Sequence, residues 1–321
     1  MKTSLLPPGR ITESDDLTDP PEGEDIDPSG EVALPCVLVF NASDPSGAGG
    51  LAADTLSIAS VGGHILPVVT GAYARDSAEV FDHFPFDEEA VAEQTRAILE
   101  DVEVQIIKVG FVGSADNLST IAETATDYPD VPLVAYMPDL SWWEEDQIEA
   151  YLDAFRELLL PQTTVLVGNH STLWRWLLPD WNGGERNPSA RDIARAAGEL
   201  GVPYTLVTGI VLPEQFIDNV LASPQSVLTS EKYERLEAVF SGAGDTLSAT
   251  LAALLASGAD LVAATTEALS YMDRCLDAGF RPGMGHIVPD RLFWAQPEED
   301  DDETDADVPV DFALPPHDTR H

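Results

Sequence analysis

A glycine-rich segment, FSGAGDTLSA, stands directly before an apolar helical pattern at residues 240–249. Because Gly242, Ala243 and Gly244 leave the backbone amides uncovered, several N–H groups at a helix start can bind an anion such as a phosphoryl group. Asp245 follows at the start of the helix, where a carboxylate can accept a proton from a substrate hydroxyl. The alternative is a tight turn whose helix is capped by Asp245. The segment predicts either an anion hole with a general base or a capped turn.

A second loop of small residues, NASDPSGAGGLAAD, lies between a predicted strand and a predicted helix at residues 41–54. It is not a P-loop, because no Gly-Lys-Ser/Thr follows, and it does not complete a dinucleotide-binding fingerprint. Gly47 and the two later glycines allow a ligand to approach the backbone closely, but a turn that needs glycine for its dihedral angles would look the same.

The elements that must position these loops alternate along the chain. Apolar runs predict buried strands at residues 36–40, 65–70, 104–110, 132–137, 164–169 and 204–209. Helical patterns lie between most of them, and after residue 210 two short strands precede helices at 244–278. This order predicts βαβ units, that is, an α/β fold with a mainly parallel sheet covered on both faces. Ligands of such sheets bind at the carboxyl ends of the strands, where both loops lie.

Composition divides the chain into three parts. We expect a disordered acidic leader at residues 1–34, one domain at 35–296, and a disordered acidic tail at 297–321. The 321 residues include 57 acids and only 16 bases, for a formal net charge of -41. Such a field repels nucleic acid and anionic membranes, so neither is an expected partner. It also opposes anionic substrates, so any phosphate site must be built locally.

The compartment is predicted from what the sequence lacks. No run of eighteen apolar residues occurs, so we expect no membrane-spanning helix. Two cysteines, Cys36 and Cys275, are too few for a disulfide scaffold or a metal cluster. Both observations favour a cytoplasmic protein.

The sequence also resembles a known family. The segment SGAGDT followed by a helix resembles the anion-hole signature of the ribokinase-like superfamily, and residues 41–64 resemble the first loop and helix of the hydroxymethylpyrimidine/phosphomethylpyrimidine kinases of thiamine biosynthesis. VVTGAYARDS, KVGFVGS and GMGHIVPDRLFW follow in the family's order, so the resemblance covers residues 35–296. It implies a three-layer α/β/α fold, a homodimer, and ATP- and Mg²⁺-dependent phosphorylation of 4-amino-5-hydroxymethyl-2-methylpyrimidine or its monophosphate.

The same resemblance implies roles for individual residues. The amides of Gly242–Gly244 would hold phosphoryl oxygens, Asp245 would deprotonate the hydroxymethyl group, and Asp54 would contact the aminopyrimidine. The other residues expected around the substrate are Asn41, Asp44, Gly47, Arg75 and Lys108. Those expected near the nucleotide phosphates are Asn169, Thr208 and Gly209. No metal ligand is identified.

Five positions depart from the family pattern. Asp245 stands where these kinases usually carry cysteine, although an ionised carboxylate is a ready base. Arg75 replaces a glutamine or glutamate, and an arginine can only donate hydrogen bonds; it either meets an anionic substrate or is a surface residue paired with a neighbouring acid. Met137 and Thr172 replace acids of the Mg²⁺ and phosphate network, and Thr208 replaces a lysine.

These departures leave two alternatives open. One is a ribokinase-like kinase with another substrate, such as a vitamin B6 compound or a sugar, which Arg75 and Asp245 favour. The other is a catalytically weak protein that binds a pyrimidine or nucleotide for regulation, which Met137, Thr172 and Thr208 favour.

Overall fold

The computed structural model describes residues 34–183 and 186–295. The predicted tail at 297–321, and the predicted leader up to residue 33, lie outside these ranges. The strands are β1 Cys36–Ser43, β2 His64–Arg75, β3 Val80–Pro85, β4 Ile106–Val109, β5 Leu133–Met137, β6 Val165–Asn169, β7 Tyr204–Val211, β8 Phe216–Ala222 and β9 Val227–Glu234. The α-helices are α1 Gly50–Ser60, α2 Glu88–Leu99, α3 Ala115–Asp127, α4 Glu145–Ala154, α5 His170–Leu177, α6 Ala190–Glu199, α7 Ala243–Ala256 and α8 Leu261–Asp277.

The strands form a nine-stranded sheet in the order β3-β2-β1-β4-β5-β6-β7-β8-β9. The six strands from β2 to β7 in this order pair in parallel. Antiparallel strands close both edges, β3 on β2 at one side and β8 and β9 beyond β7 at the other. The predicted α/β fold with a mainly parallel sheet is therefore confirmed, including all six predicted buried strands.

Helices cover both faces of the sheet, and β1 shows why its sequence is a continuous apolar run. Leu38 and Phe40 pack in one core cluster, which includes residues of α3 and α6. Val37 and Val39 point to the opposite cluster, which includes residues of α1, α7 and α8. Successive side chains of a strand face opposite sides, so a strand that is covered twice must be apolar at every position. The result is the predicted three-layer arrangement.

The edge strand β3 was not predicted. Its sequence, VFDHFP, leaves Phe81 and Phe84 exposed and buries His83. Strand pairing with β2, rather than an apolar pattern of its own, therefore defines this element. Among the described residues, no helix is both long and apolar enough to cross a membrane.

Candidate active site

A cavity of about 570 Å³ opens at the carboxyl ends of the parallel strands. The chain after β1, the end of β2, the chain after β5 and the start of α7 supply its walls. Asp44, Gly49, Arg75, Tyr136, Asp139, Ser241, Gly242, Asp245 and His286 are among its lining residues. Both glycine loops of the sequence therefore meet at one cavity, at the edge of the sheet where a ligand is expected.

The loop before α7 has the geometry of an anion cradle. Gly242 adopts a left-handed conformation with φ of +85° and precedes α7 without any side-chain cap. A Cβ atom on Gly242 would collide with the backbone oxygen of Ala48, and one on Gly244 would collide with the Tyr136 ring hydroxyl. Only glycine fits these positions, and the first-turn amides of α7 carry the positive end of the helix dipole. The alternative of a turn capped by Asp245 is not what the structure shows.

The carboxylate of Asp245 is held by three donors. Its Oδ1 accepts hydrogen bonds from Lys108 Nζ at 3.1 Å and from Asn41 Nδ2 at 2.9 Å. Its Oδ2 accepts from the backbone N–H of Gly50 at 3.0 Å. Burial alone would raise the pKa of Asp245, but the Lys108 ammonium and these hydrogen bonds outweigh burial and hold that pKa below its usual value. The group is therefore ionised at neutral pH and can accept a proton.

Asp54 and Lys108 form a layer beneath Asp245. Both side chains are fully buried, and Lys108 Nζ lies 2.7 Å from Asp54 Oδ1. Asn41 Nδ2 donates to Asp54 Oδ2 at 2.8 Å and so bridges the two carboxylates. Burial raises the pKa of Asp54 to about 6, against the lowering effect of Lys108. Asp54, Asn41 and Lys108 do not line the cavity, so their predicted contact with a substrate stays a prediction.

Asp44 organises the first glycine loop. Its Oδ1 accepts from the Ser46 backbone N–H at 2.8 Å and from the Ser46 hydroxyl at 2.6 Å. Its Oδ2 accepts from the Gly49 N–H at 2.8 Å. Gly47 turns the chain with a φ of +69°. Gly47 therefore serves the turn, while Gly49 and Gly50 face the cavity, and their close approach to a ligand stays a prediction.

Arg75 belongs to the cavity wall. Its Nη1 forms an ion pair with Asp44 Oδ2 at 3.2 Å, and the two side chains are 11% and 0% exposed. Its Nη2 donates to Ser241 Oγ at 3.4 Å, and Ser241 Oγ lies 3.0 Å from His286 Nδ1. The alternative of a surface arginine paired with a neighbouring acid is wrong.

Sequence reasoning missed Arg291, whose side chain joins both glycine loops. Arg291 is 3% exposed, and its Nε donates to Thr246 Oγ1 at 2.8 Å. Its two terminal nitrogens donate to the backbone oxygens of Gly47 and Ala48. The segment GMGHIVPDRLFW, quoted above for its resemblance, contains Arg291 and His286 but carries no spacing signal for either. Ser241 and Tyr136 were missed for the same reason.

The three residues expected near nucleotide phosphates lie at the ends of β6 and β7. Asn169 caps α5 by accepting from the Ser171 N–H at 3.0 Å. The hydroxyl of Thr208 donates to the Gly168 oxygen at 3.3 Å. Gly209 has a φ of +69°, and a Cβ there would press on the Asn169 amide. None of the three lines the large cavity, and their role towards a nucleotide stays a prediction.

The replaced metal-network positions face a second, smaller cavity of about 200 Å³. Met137 and Thr172 line it together with Arg175, Trp176 and one acid, Asp139. Among residues 34–183 and 186–295, no group of three or more His, Cys, Asp or Glu side chains could hold a metal ion. The side chains present here therefore do not form a protein-built Mg²⁺ site, which takes carboxylate oxygens.

A mainly parallel sheet between two layers of helices, with a glycine cradle and a carboxylate at the start of one helix, defines a kinase of ribokinase-like fold. Residues 44–290 match the model of the phosphomethylpyrimidine kinase family, and the chain belongs to that family.

Curated relatives agree with this assignment. The hydroxymethylpyrimidine/phosphomethylpyrimidine kinase of Streptomyces coelicolor is 29% identical over 273 residues, covering 84% of this chain and 98% of the relative. The enzyme of the same name from Mycobacterium tuberculosis H37Rv is 30% identical over 271 residues, covering 81% of this chain and 94% of the relative.

Solved structures show the same fold. An ADP complex of Bacillus subtilis pyridoxal kinase aligns with a TM-score of 0.72 at 22% identity, covering 82% of this chain and 99% of the other. The phosphomethylpyrimidine kinase of Clostridium difficile 630 aligns with a TM-score of 0.59 at 19% identity, covering 74% and 98%.

Proposed function

We propose that this protein transfers the γ-phosphoryl group of ATP to 4-amino-5-hydroxymethyl-2-methylpyrimidine, to its monophosphate, or to both, in thiamine biosynthesis. One observation carries the proposal: an ionised Asp245 lies on the cavity wall immediately beside the glycine cradle that precedes α7. Family membership supports the pyrimidine as the acceptor. The arrangement joins a base for a hydroxyl group with donors for a phosphoryl group, which are the two requirements of this reaction.

The steps for an alcohol acceptor follow from these residues. Asp245 accepts the proton of the substrate hydroxyl, and the oxygen attacks the γ-phosphorus of ATP. The bond from that phosphorus to the bridging oxygen breaks, and ADP leaves. The amides of Gly242, Ala243 and Gly244 donate to the phosphoryl oxygens, and the positive end of α7 neutralises their charge. Lys108, Asn41 and the Gly50 amide keep the carboxylate oriented throughout.

We place the adenine base of ATP in a third cavity of about 160 Å³. Phe240 lines both this cavity and the large one, so a nucleotide there would reach the cradle with its phosphates. Tyr233, Leu236, Leu269 and Met272 supply apolar walls suited to a flat heterocycle.

Mg²⁺ is proposed only as part of the nucleotide substrate. Mg²⁺ in kinases is bound through one or two carboxylates together with substrate phosphates and water. Since the described side chains near Met137 and Thr172 do not form a metal site of their own, we derive no step from the ion.

A second candidate function follows from that same place. The cavity beside Met137 and Thr172 is lined mainly by apolar side chains and contains one acid, Asp139. This favours a protein that binds a pyrimidine or a nucleotide but turns over slowly. Arg75 separately favours a kinase for another acceptor, such as a pyridoxal-type vitamin or a sugar.

An ATP-consumption assay with Mg²⁺ separates these functions. The acceptors are hydroxymethylpyrimidine, its monophosphate, pyridoxal and ribose. Turnover on a pyrimidine supports the proposed function, and turnover only on pyridoxal or ribose replaces it. Absence of turnover, with ATP or pyrimidine still raising the Tm, supports the binding protein.

The variant Asp245→Asn tests the mechanism. We expect it to fold and to lose at least ~100-fold in kcat for the alcohol acceptor, the usual scale of a general base. Asp153→Asn is the matched control, because Asp153 is exposed and forms an ion pair with Arg156, three residues further along the chain. Equal kcat in Asp245→Asn and Asp153→Asn would remove Asp245 as the base.

We propose further that the enzyme acts as a cytoplasmic homodimer. The edge strand β3 supports the dimer, because Phe81 and Phe84 are 64% and 59% exposed there. Light scattering of the wild type and of Phe81→Ser/Phe84→Ser tests it: a monomeric wild type, or a double variant that stays dimeric, would contradict this interface. We propose the cytoplasm as the compartment because ATP and a reducing environment occur together there.

A further inference from the structure

The guanidinium of Arg75 is held in place by neighbouring residues, but only some of its N–H donors form hydrogen bonds with them. Its Nε donates to the Asp76 backbone oxygen at 3.2 Å, in addition to the contacts of Nη1 with Asp44 and of Nη2 with Ser241. A guanidinium has five N–H donors. Two N–H groups, one on each terminal nitrogen, therefore have no partner among the described residues. Arg75 lines the large cavity, so a ligand with two acceptor oxygens can reach them.

Arg75 also lies close to the reacting position. Ser241, which it contacts, directly precedes the cradle residue Gly242. Its ion-pair partner Asp44 and the base Asp245 both approach Gly49, since a Cβ on Gly49 would lie 3.4 Å from Asp44 Oδ2 and 2.9 Å from Asp245 Oδ2. The arginine and the catalytic carboxylate are thus parts of one wall, and an acceptor group placed before the cradle meets both.

The charges around the cavity make this arginine decisive for an anionic acceptor. The lining acids are Asp44, Glu79, Asp139 and Asp245, and among the described residues Arg75 is the one lysine or arginine in the lining. A dianionic phosphate entering this cavity meets repulsion from each acid. The guanidinium of an arginine is the protein group that best offsets this repulsion, because two of its N–H groups lie parallel and match two phosphate oxygens.

The two acceptors make different chemical demands. An alcohol must lose a proton, which Asp245 takes. A phosphomonoester attacks the γ-phosphorus with an oxygen that is already ionised, so its reaction breaks the bond to the bridging oxygen and releases ADP without any proton transfer. The second reaction has no use for the base and needs a cation beside it instead.

We propose that Arg75, held by Asp44 and Ser241, is the binding residue for the phosphate of a phosphomonoester acceptor, so that Asp245 serves the alcohol and Arg75 serves the phosphorylated substrate. This inference rests on the proposed function. His286 supports the subsite by holding the Ser241 hydroxyl at 3.0 Å.

Binding and turnover of the two pyrimidines test the division of labour. Calorimetry measures the affinity of wild type, Arg75→Gln and Arg75→Lys for hydroxymethylpyrimidine and for its monophosphate. In Arg75→Gln we expect the affinity for the monophosphate to fall roughly 30-fold, the scale of a charge-assisted hydrogen bond, and to fall much less for the free alcohol. Arg75→Lys keeps the charge without the fork and should fall between wild type and Arg75→Gln. Arg96→Gln, which removes an exposed arginine on α2, is the control.

The kinetic readout is the ratio of kcat/KM for the two acceptors. Arg75→Gln should lower this ratio of monophosphate to alcohol, and Asp245→Asn should raise it. Equal losses for both acceptors in Arg75→Gln, or a monophosphate affinity that does not change, would overturn the inference. Failure of the proposed function is a different result, namely a wild type without turnover on either pyrimidine. In that case the calorimetry still decides, since a wild type that does not bind the monophosphate overturns the subsite as well.

Discussion

Replacing Lys108 by methionine should expose how strongly the buried charges depend on each other. The Lys108 ammonium lies 2.7 Å from Asp54 Oδ1 and 3.1 Å from Asp245 Oδ1, and it is the cation that these two carboxylates share. Methionine fills a similar volume without the charge. Two carboxylates that share one site without a cation cannot both stay ionised, so one must take up a proton.

Asp54 is the group that should be protonated, because its pKa is already about 6. Lys108 lowers that pKa in the wild type, so removing it should raise the pKa of Asp54 further. Removing one partner of a buried ion pair usually costs about 3–5 kcal/mol in the free energy of unfolding, and protonation keeps the loss toward the lower end. A carboxyl group with a raised folded-state pKa loses stability as the pH rises through that value. The variant should therefore be least stable at alkaline pH.

Urea unfolding followed by circular dichroism measures this at about pH 5.5 and about pH 7.5. We expect the Lys108→Met variant to lose about 3 kcal/mol at the higher pH and clearly less at the lower pH. Asp54→Asn/Lys108→Met should recover part of the loss, because it removes the second carboxylate. A Lys108→Met variant that is as stable as wild type at both pH values would refute the electrostatic account. The acid limb of kcat/KM should also move to higher pH, because Asp245 loses the cation that lowers its pKa.

Three other perturbations test separate parts of the structure. Burial lowers the pKa of His83 to about 4, and both ring nitrogens have no partner among the described residues. As the pH falls from about 7.5 to about 5, the unfolded chain therefore binds a proton at His83 that the folded chain does not bind, which lowers the free energy of unfolding by about 2 kcal/mol. Urea unfolding at the two pH values should show that His83→Phe abolishes this loss. Gly242→Ala should lower kcat at least ~100-fold because its Cβ meets the Ala48 oxygen, whereas Gly258→Ala, with the same φ of +85° and open space, should cost stability alone. Arg291→Gln loses the guanidinium that joins both loops and should lower kcat roughly 10-fold in the ATP-consumption assay. Arg291→Lys should fall between Arg291→Gln and wild type.

The fold could be predicted because its determinants are local. Strand β1 is covered on both faces, so residues 37–40 are apolar without interruption and mark a strand directly. The edge strand β3 was not predicted because one of its positions, His83, is buried while the residues on both sides of it are exposed. An edge that is fixed by its neighbour leaves little pattern of its own.

The sequence indicated which segments border the cavity, but not how deeply each of their side chains is buried. The glycines before α7 and the polar loop after β1 indicated the edge of the sheet at which the cavity opens, since backbone approach needs residues without side chains. Whether Asp54 or Asp245 faces the cavity depends on their relative depth, and Asp54 lies one layer further in, on Lys108. Arg291 contacts Gly47 across most of the length of the chain, and no spacing rule connects two such positions.

The distribution of the few cations bears on how so acidic a protein would bind the phosphate of the proposed substrate. The chain has 16 lysines and arginines against 57 acids. Lys108 and Arg291 are almost completely buried, Arg75 is 11% exposed, and all three lie around Asp245 or the loops beside it. Charges buried in a low-dielectric region are screened little, whereas the surface acids act through water and salt. Arg75 lines the cavity, so it should act on a phosphate bound there more strongly than an acid at the surface does. Added salt should weaken the long-range repulsion of an anionic substrate while leaving the proposed contact with Arg75 largely intact, so we infer that the acceptor phosphate binds through local geometry against the charge of the whole chain.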